Sequence, residues 1–243
     1  MEQLYEGGTH MGNKYYQLEL AGYEALIRKG EDVRERGNPD KAIEIFNELL
    51  SNSPLSIQAS ALGHIIVCYK HLYQKTDDLD YVSNYMMPLC MKGLEMEISE
   101  ADKSVFKLRQ GDCYLALSKP EEAVESYIEA LSMLPSGSPQ KGEYRSHLAF
   151  GLAMAGRLSD AYNQLDVAEY QIDTAEGLEP FRRRVIVAGF KYKQARVQKM
   201  NGDYFLAFTA GLQGLYQALV LAIWYWYPVR LKQFFQFCFG KSI

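Results

Sequence analysis

Apolar residues recur along this chain at helical spacing, separated by short polar breaks. Leu18, Tyr23, Leu26, Ile27, Gly30 and Val33 line one side of a predicted helix whose other side carries Glu31, Arg34, Glu35 and Arg36. Gly37 and Asn38 end that helix and Pro39 opens the next. Ala42, Phe46 and Leu49 then share one face of a second helix that closes at Pro54. The stretch 18–54 therefore reads as one antiparallel helical pair. The pattern predicts a second pair from Ala59 to Gln74 and Leu79 to Met96, in which Pro88 should kink or break its helix. A third pair follows from Val105 to Leu117 and Pro120 to Leu134, and a fourth from Tyr144 to Ala155 and Leu158 to Ile172. A fifth, with long arms, runs from Pro180 to Met200 and Tyr204 to about Tyr227. No two-residue alternation competes, so the expected fold is all-α: a solenoid of about five helical pairs over residues 14–227. Residues 1–13, which contain Gly7, Gly8 and Gly12, read as a mobile arm, and 228–243 as an aromatic tail with Phe234, Phe235, Phe237 and Phe239.

The second helices share an anchor. Gly37-Asn38-Pro39-Asp40-Lys41-Ala42, leading to Phe46 and Pro54, returns as Ser118-Lys119-Pro120-Glu121-Glu122-Ala123, leading to Tyr127 and Pro135. Ala161 and Ala207 hold the same place in the later pairs. On these residues the chain resembles the tetratricopeptide repeat (TPR) family, whose roughly 34-residue unit carries Leu-Gly, Tyr, Ala, an aromatic and a closing Pro. The match lies at Leu26, Gly30, Ala42, Phe46 and Pro54 in the first repeat, and at Gly111, Tyr114, Ala123, Tyr127, Ala130 and Pro135 in the third. It departs from the pattern at Lys29, Val33 and Lys107. The resemblance implies a right-handed superhelix whose first helices line a concave groove for a protein or peptide. It also points to an interaction scaffold or adaptor, not an enzyme.

Placing the outward face of each first helix toward that groove nominates Leu108, Asp112, Phe150 and Met154 as an apolar strip with an acidic edge. Tyr192, Arg196 and Lys199 form its basic end. Phe150 is the expected anchor. The carboxylate-holding pattern of some TPR proteins is not met, because Ile27 and Glu31 stand at the first-repeat positions and only Arg109 fits.

Composition changes this picture little. With 243 residues, 48% hydrophobic and 23% charged, the chain can bury a core, and a formal charge of -4 gives no general attraction to nucleic acid. Cys68, Cys90, Cys113 and Cys238 are widely spaced among apolar neighbours and read as free thiols of a reducing compartment, here the cytoplasm. His10, His64, His71 and His147 are scattered, no phosphate-cradling loop is present, and no cofactor or metal is expected.

Two stretches keep an alternative open. Arg182, Arg183, Arg184, Lys191, Lys193, Arg196 and Lys199 form a basic stripe, read either as a solvated face or as a contact for an acidic partner or membrane. The segment 204–229 after it holds no charged residue and is long enough to cross a bilayer. The main reading makes it the last repeat helix, and the alternative is a tail-anchored membrane adaptor. If it were neither, the phenylalanines of the tail would invite a partner or an oligomer.

Overall fold

Four turns of one geometry join four of the five described helical pairs. In each, one residue turns left-handed: Gly37 (φ 86), Ser118 (φ 59), Gly156 (φ 78) and Gly202 (φ 86). At each, two backbone N–H groups reach back over the end of the first helix. Gly37 donates to Arg34 and Asn38 to Val33, Ser118 to Leu115 and Lys119 to Tyr114, Gly156 to Ala153 and Arg157 to Leu152, and Gly202 to Lys199 and Asp203 to Gln198. This paired cap satisfies the orphan carbonyls and reverses the chain within three residues.

The computed structural model describes residues 7–225, with side chains over 19–221 apart from Asn52. The described helices are α1 (Gly7–Glu35), α2 (Pro39–Asn52), α3 (Leu55–Thr76), α4 (Met87–Glu95), α5 (Glu100–Ala116), α6 (Pro120–Met133), α7 (Lys141–Met154), α8 (Leu158–Thr174), α9 (Pro180–Met200) and α10 (Tyr204–Tyr225), and among the described residues there is no strand. They pair as α1 with α2, α3 with α4, α5 with α6, α7 with α8 and α9 with α10, and each pair packs on the next. The molecule is an all-α solenoid.

Two expectations change in detail, and one lies outside what the structure describes. Helix α1 begins at Gly7, so 7–13 of the expected arm is helical. Extension from the amphipathic stretch at Lys14 needs no new nucleus, which offsets part of the cost of Gly7, Gly8 and Gly12 in a helix. Residues 1–6 and the aromatic tail 228–243, Cys238 included, lie outside the described residues. The interruption at Pro88 takes the form of a π-helical stretch over Tyr81–Met86 that runs directly into α4, with Pro88 in the first turn of α4 where its missing N–H is tolerated.

The anchoring alanines do what their size allows. Ala42, Ala123 and Ala161 are fully buried, and Phe46 and Tyr127 fill the space beside them. A Cβ added at Gly30 would lie 2.6 Å from the Phe46 ring, and one at Gly111 2.4 Å from the Tyr127 ring, so these glycines are seats for the aromatic of the facing helix. Successive apolar clusters run along the stack, from Ala42, Phe46 and Ile65 through Leu62, Met86 and Phe106 to Tyr127, Leu148, Leu165 and Phe190. Cys68, Cys90 and Cys113 are buried free thiols, and burial pushes Cys68 up to about 12.

Candidate partner-binding face

Helices α1, α3, α5, α7 and α9 present polar side chains to one common side. On α5 these are Arg109 and Asp112, on α7 Glu143 and His147 with Phe150 and Met154 further along the same face, and on α9 Arg182, Lys193 and Arg196. Their charges act on one another across the stack. Arg182 acts on Glu31 of α1, on His64 of α3 and on Glu143 of α7, and Arg109 acts on His64 and Glu143. First helices far apart in sequence therefore face inward together.

Asp112 is the centre of this face. Its Oδ2 accepts from Lys70 Nζ at 2.6 Å and Arg109 Nη1 at 2.9 Å, and its Oδ1 from the Tyr127 hydroxyl at 3.0 Å. His147 Nδ1 lies 2.9 Å from the same Oδ1, and because a carboxylate only accepts, Nδ1 carries the proton. The side chain of Asp112 is 8% exposed. Burial alone would raise its pKa, but Lys70, His147 and Arg109 outweigh that and hold it well below the usual carboxylate range. The pKa of His147 is lowered too, to about 4, but by burial and then Lys193, and for a histidine that leaves the ring neutral. Four helices, α3, α5, α6 and α7, are tied at this one carboxylate.

A second knot sits toward α1. Arg34 donates to Glu35 Oε1 at 2.8 Å and to His64 Nδ1 at 3.1 Å, and His64 stacks on Phe46 at 5.0 Å between ring centroids. Burial, then Arg34, lowers His64 to about 3. A third joins α7 to α9 through Arg182 Nη2 and Glu143 Oε2 at 2.8 Å. Glu143 is held down to about 2 because Arg182 and Arg109 overcome its burial.

Of the residues nominated from the sequence, Phe150, Met154 and Arg196 come together as an edge on this side. The Arg196 guanidinium lies 4.3 Å from the centroid of the Phe150 ring and 5.8 Å from that of Tyr192, and Met154 is 39% exposed beside them. Lys199 is exposed at the end of α9. Leu108 is corrected: it is 1% exposed and belongs to the core against α6 and α7, one residue out of register with the inward-facing Arg109. Asp112 is corrected in character, since its charge is consumed by four internal partners and gives no free acidic edge. Phe150 is half-buried and packs on the core, so it is an edge residue more than a surface one.

The basic residues of α9 do not form a single stripe. Arg183 donates to the carbonyls of Ile172 and Ala175 at the end of α8, Arg184 to Gln217 at 2.9 Å, and Lys191 to Glu169 at 2.6 Å. Among the described residues no group of three or more His, Cys, Asp or Glu could hold a metal ion.

Stacked hairpins with an inward-facing row of first helices define the class: an α-solenoid with one long polar face. Within that class the chain resembles the TPR family. A family model described as tetratricopeptide repeat matches residues 23–56, the first hairpin from the middle of α1 through α2. Two crystal structures of nearly identical TPR-like repeats from a Podosopora anserina candidate kinesin light chain also match. One is 14% identical over 80% of this chain and 94% of that one, with a TM-score of 0.47. The other, its Q17M form, is 15% identical over 82% and 94%, with a TM-score of 0.50. At that identity the likeness concerns the fold. No curated protein matches the chain.

Proposed function

We propose that this chain is a non-enzymatic interaction scaffold that lays a segment of another protein along the inner face of its first helices. The observation that carries the reading is the arrangement of that face. A floor of internally paired charges centred on Asp112 adjoins a half-exposed edge of Phe150, Met154, Tyr192 and Arg196. A floor whose ion pairs are already made needs no reorganisation on binding, and an aromatic edge beside an arginine is the residue mix that dominates protein interfaces. Repeat solenoids use such faces for extended segments and helices. The bound segment carries an apolar side chain for the Phe150–Met154 edge and a carboxylate within reach of Arg196 and Lys199. The reading includes a cytoplasmic location, supported by the three buried free thiols.

The membrane alternative draws on α10, which among the described residues is the one helix long and apolar enough to cross a bilayer, a third of it buried. Its packing on α9 speaks against a span. Arg184 and Lys191 lie directly beside it and would be drawn into hydrocarbon with it.

The test is a differential capture. Proteins retained by the wild-type chain should be lost by Arg196→Glu combined with Phe150→Ser. They should be kept by Lys41→Glu combined with Tyr170→Ser, which makes the same charge change on the exposed outer side. Equal loss, or equal retention, by both variants would overturn the inner face as the binding face.

A further inference from the structure

Helix α10 has two unlike faces. Ala207, Ala210, Ala218 and Leu221 are buried, and Gly214 lets the Lys191 stem approach so closely that a Cβ there would lie 3.3 Å from it. On the opposite side stand Phe205, Phe208, Leu212, Tyr216 and Leu219, all exposed, Phe205 at 78% and Tyr216 at 62%. The same outer positions are mostly polar in the earlier second helices. Counted from the anchoring alanine, Phe205, Leu212 and Tyr216 occupy the places of Asp40, Asn47 and Ser51 in α2, and of Glu121, Ile128 and Ser132 in α6. Phe208 takes the place of Ile43 and Val124, which the following first helix covers. These five large side chains form one contiguous apolar patch on the surface, of the kind that commonly marks an interaction site.

We infer that this stripe is a self-association surface, on which α10 of a second copy of the chain lies antiparallel. The spacing is symmetric about Leu212, with Phe208 and Tyr216 four residues to either side and Phe205 and Leu219 seven. A two-fold axis through Leu212 therefore sets Leu212 against Leu212, Phe208 against Tyr216, and Phe205 against Leu219 of the other copy, an isologous seam with helix-pair periodicity. A groove of about 360 Å³, lined by Val187, Lys191, Leu212, Gln213, Tyr216 and Gln217, flanks the stripe. No charge lies between Tyr204 and Leu221, so like meets like without repulsion. The stripe supplies the apolar centre of such an interface, and a stable one of roughly 800 Å² per partner takes in the flanking Gln213 and Gln217 as its polar rim. The packed Arg184 and Lys191 that speak against a bilayer are compatible with a second protein surface.

Sedimentation of the full chain over a concentration series tests this. Wild type should be a dimer at micromolar concentration. Leu212→Lys and Leu212→Glu should each be monomeric, with self-affinity lowered by 100-fold or more and unchanged melting temperatures. Mixed one to one, they should restore a dimer, because residue 212 meets its own counterpart. Phe205→Lys, at the far end of the stripe, should weaken the dimer independently. A wild type that stays monomeric, whether free, with its own residues 226–243 on the stripe, or floating with phosphatidylcholine vesicles, overturns the inference. So does a dimer that Leu212→Lys leaves intact, or a Lys/Glu mixture that remains monomeric.

Discussion

Asp112 joins side chains of four helices, and its removal should be felt as a loss of packing between them. In Asp112→Asn, Lys70 and Arg109 lose the carboxylate that they share, at a position only 8% exposed. The expected cost is about 3 kcal/mol, read from denaturant midpoints. A change below about 0.5 kcal/mol would mean that the network is solvated and incidental. The two neutral histidines add a pH dependence. His64 and His147 are lowered to about 3 and about 4 from 6.5, so between about pH 6.5 and 4 the unfolded chain binds protons that the folded one refuses. Stability is thus full above pH 6.5 and falls on acidification, by up to about 1.4 kcal/mol per pH unit for each ring. Below that window the loss continues as Glu143, depressed to about 2 from 4.5, is protonated. His147→Gln should flatten the slope between pH 6.5 and 4, and an unchanged slope would show that the ring is not the group responsible.

Ser118 is the odd member of the four turns. Its φ of 59 places a side chain in the left-handed region where Gly37, Gly156 and Gly202 pay nothing. Ser118→Gly should raise the melting temperature by the equivalent of about 1 kcal/mol.

At the scale of the element, the hairpins were legible because two signals agree: apolar residues at helical period, and a turn between them, marked in the first and third pairs by a proline two places after the turn residue and in the fourth and fifth by a glycine. The anchoring alanines and the glycines seated under Phe46 and Tyr127 are local matters of size, and size can be read from one sequence. Orientation within a helix was less secure. A shift of one residue turns a side chain by about 100°, which is how Leu108 was set outward in place of Arg109. The signal that corrects it was present, since Arg109 and Asp112 are three apart and both charged, while Leu108 shares a face with Gly111 and Leu115. The partners of Asp112 were not legible in the same way. Lys70 lies 42 residues before it and His147 lies 35 after it, and only the stacking of repeats brings them together. Helix α10 failed to declare its faces for the opposite reason. Apolar residues all round give no contrast, and the structure sorts them by size, small toward α9 and large outward. The glycine seats give a paired test. Gly111→Ala should lower stability by about 1–3 kcal/mol through contact with the Tyr127 ring. Gly22→Ala, with nothing within 4 Å of the added carbon, should raise it by up to about 1 kcal/mol. Equal shifts would mean that α5 and α6 do not meet as described.

For the whole molecule, the proposed partner face and the proposed self-association stripe lie on different sides. Ion pairs within the inner face tie first helices to one another, so the stack behaves as a preformed surface, and α10 closes the described series with an apolar stripe on the outside. The two surfaces are independent, and a dimer through α10 leaves both inner faces free to hold a segment each, which would raise avidity for a partner with two such segments. The claim on which the functional account stands is that the Phe150 edge contacts the partner. Calorimetric titration of a captured partner segment into wild-type chain, Phe150→Ala and Tyr170→Ala measures this directly. The account predicts a weakening of about 30-fold or more for Phe150→Ala, with a modest loss of melting temperature because the ring also touches the core, and none for the outward Tyr170→Ala. Undiminished affinity in a folded Phe150→Ala chain would contradict it.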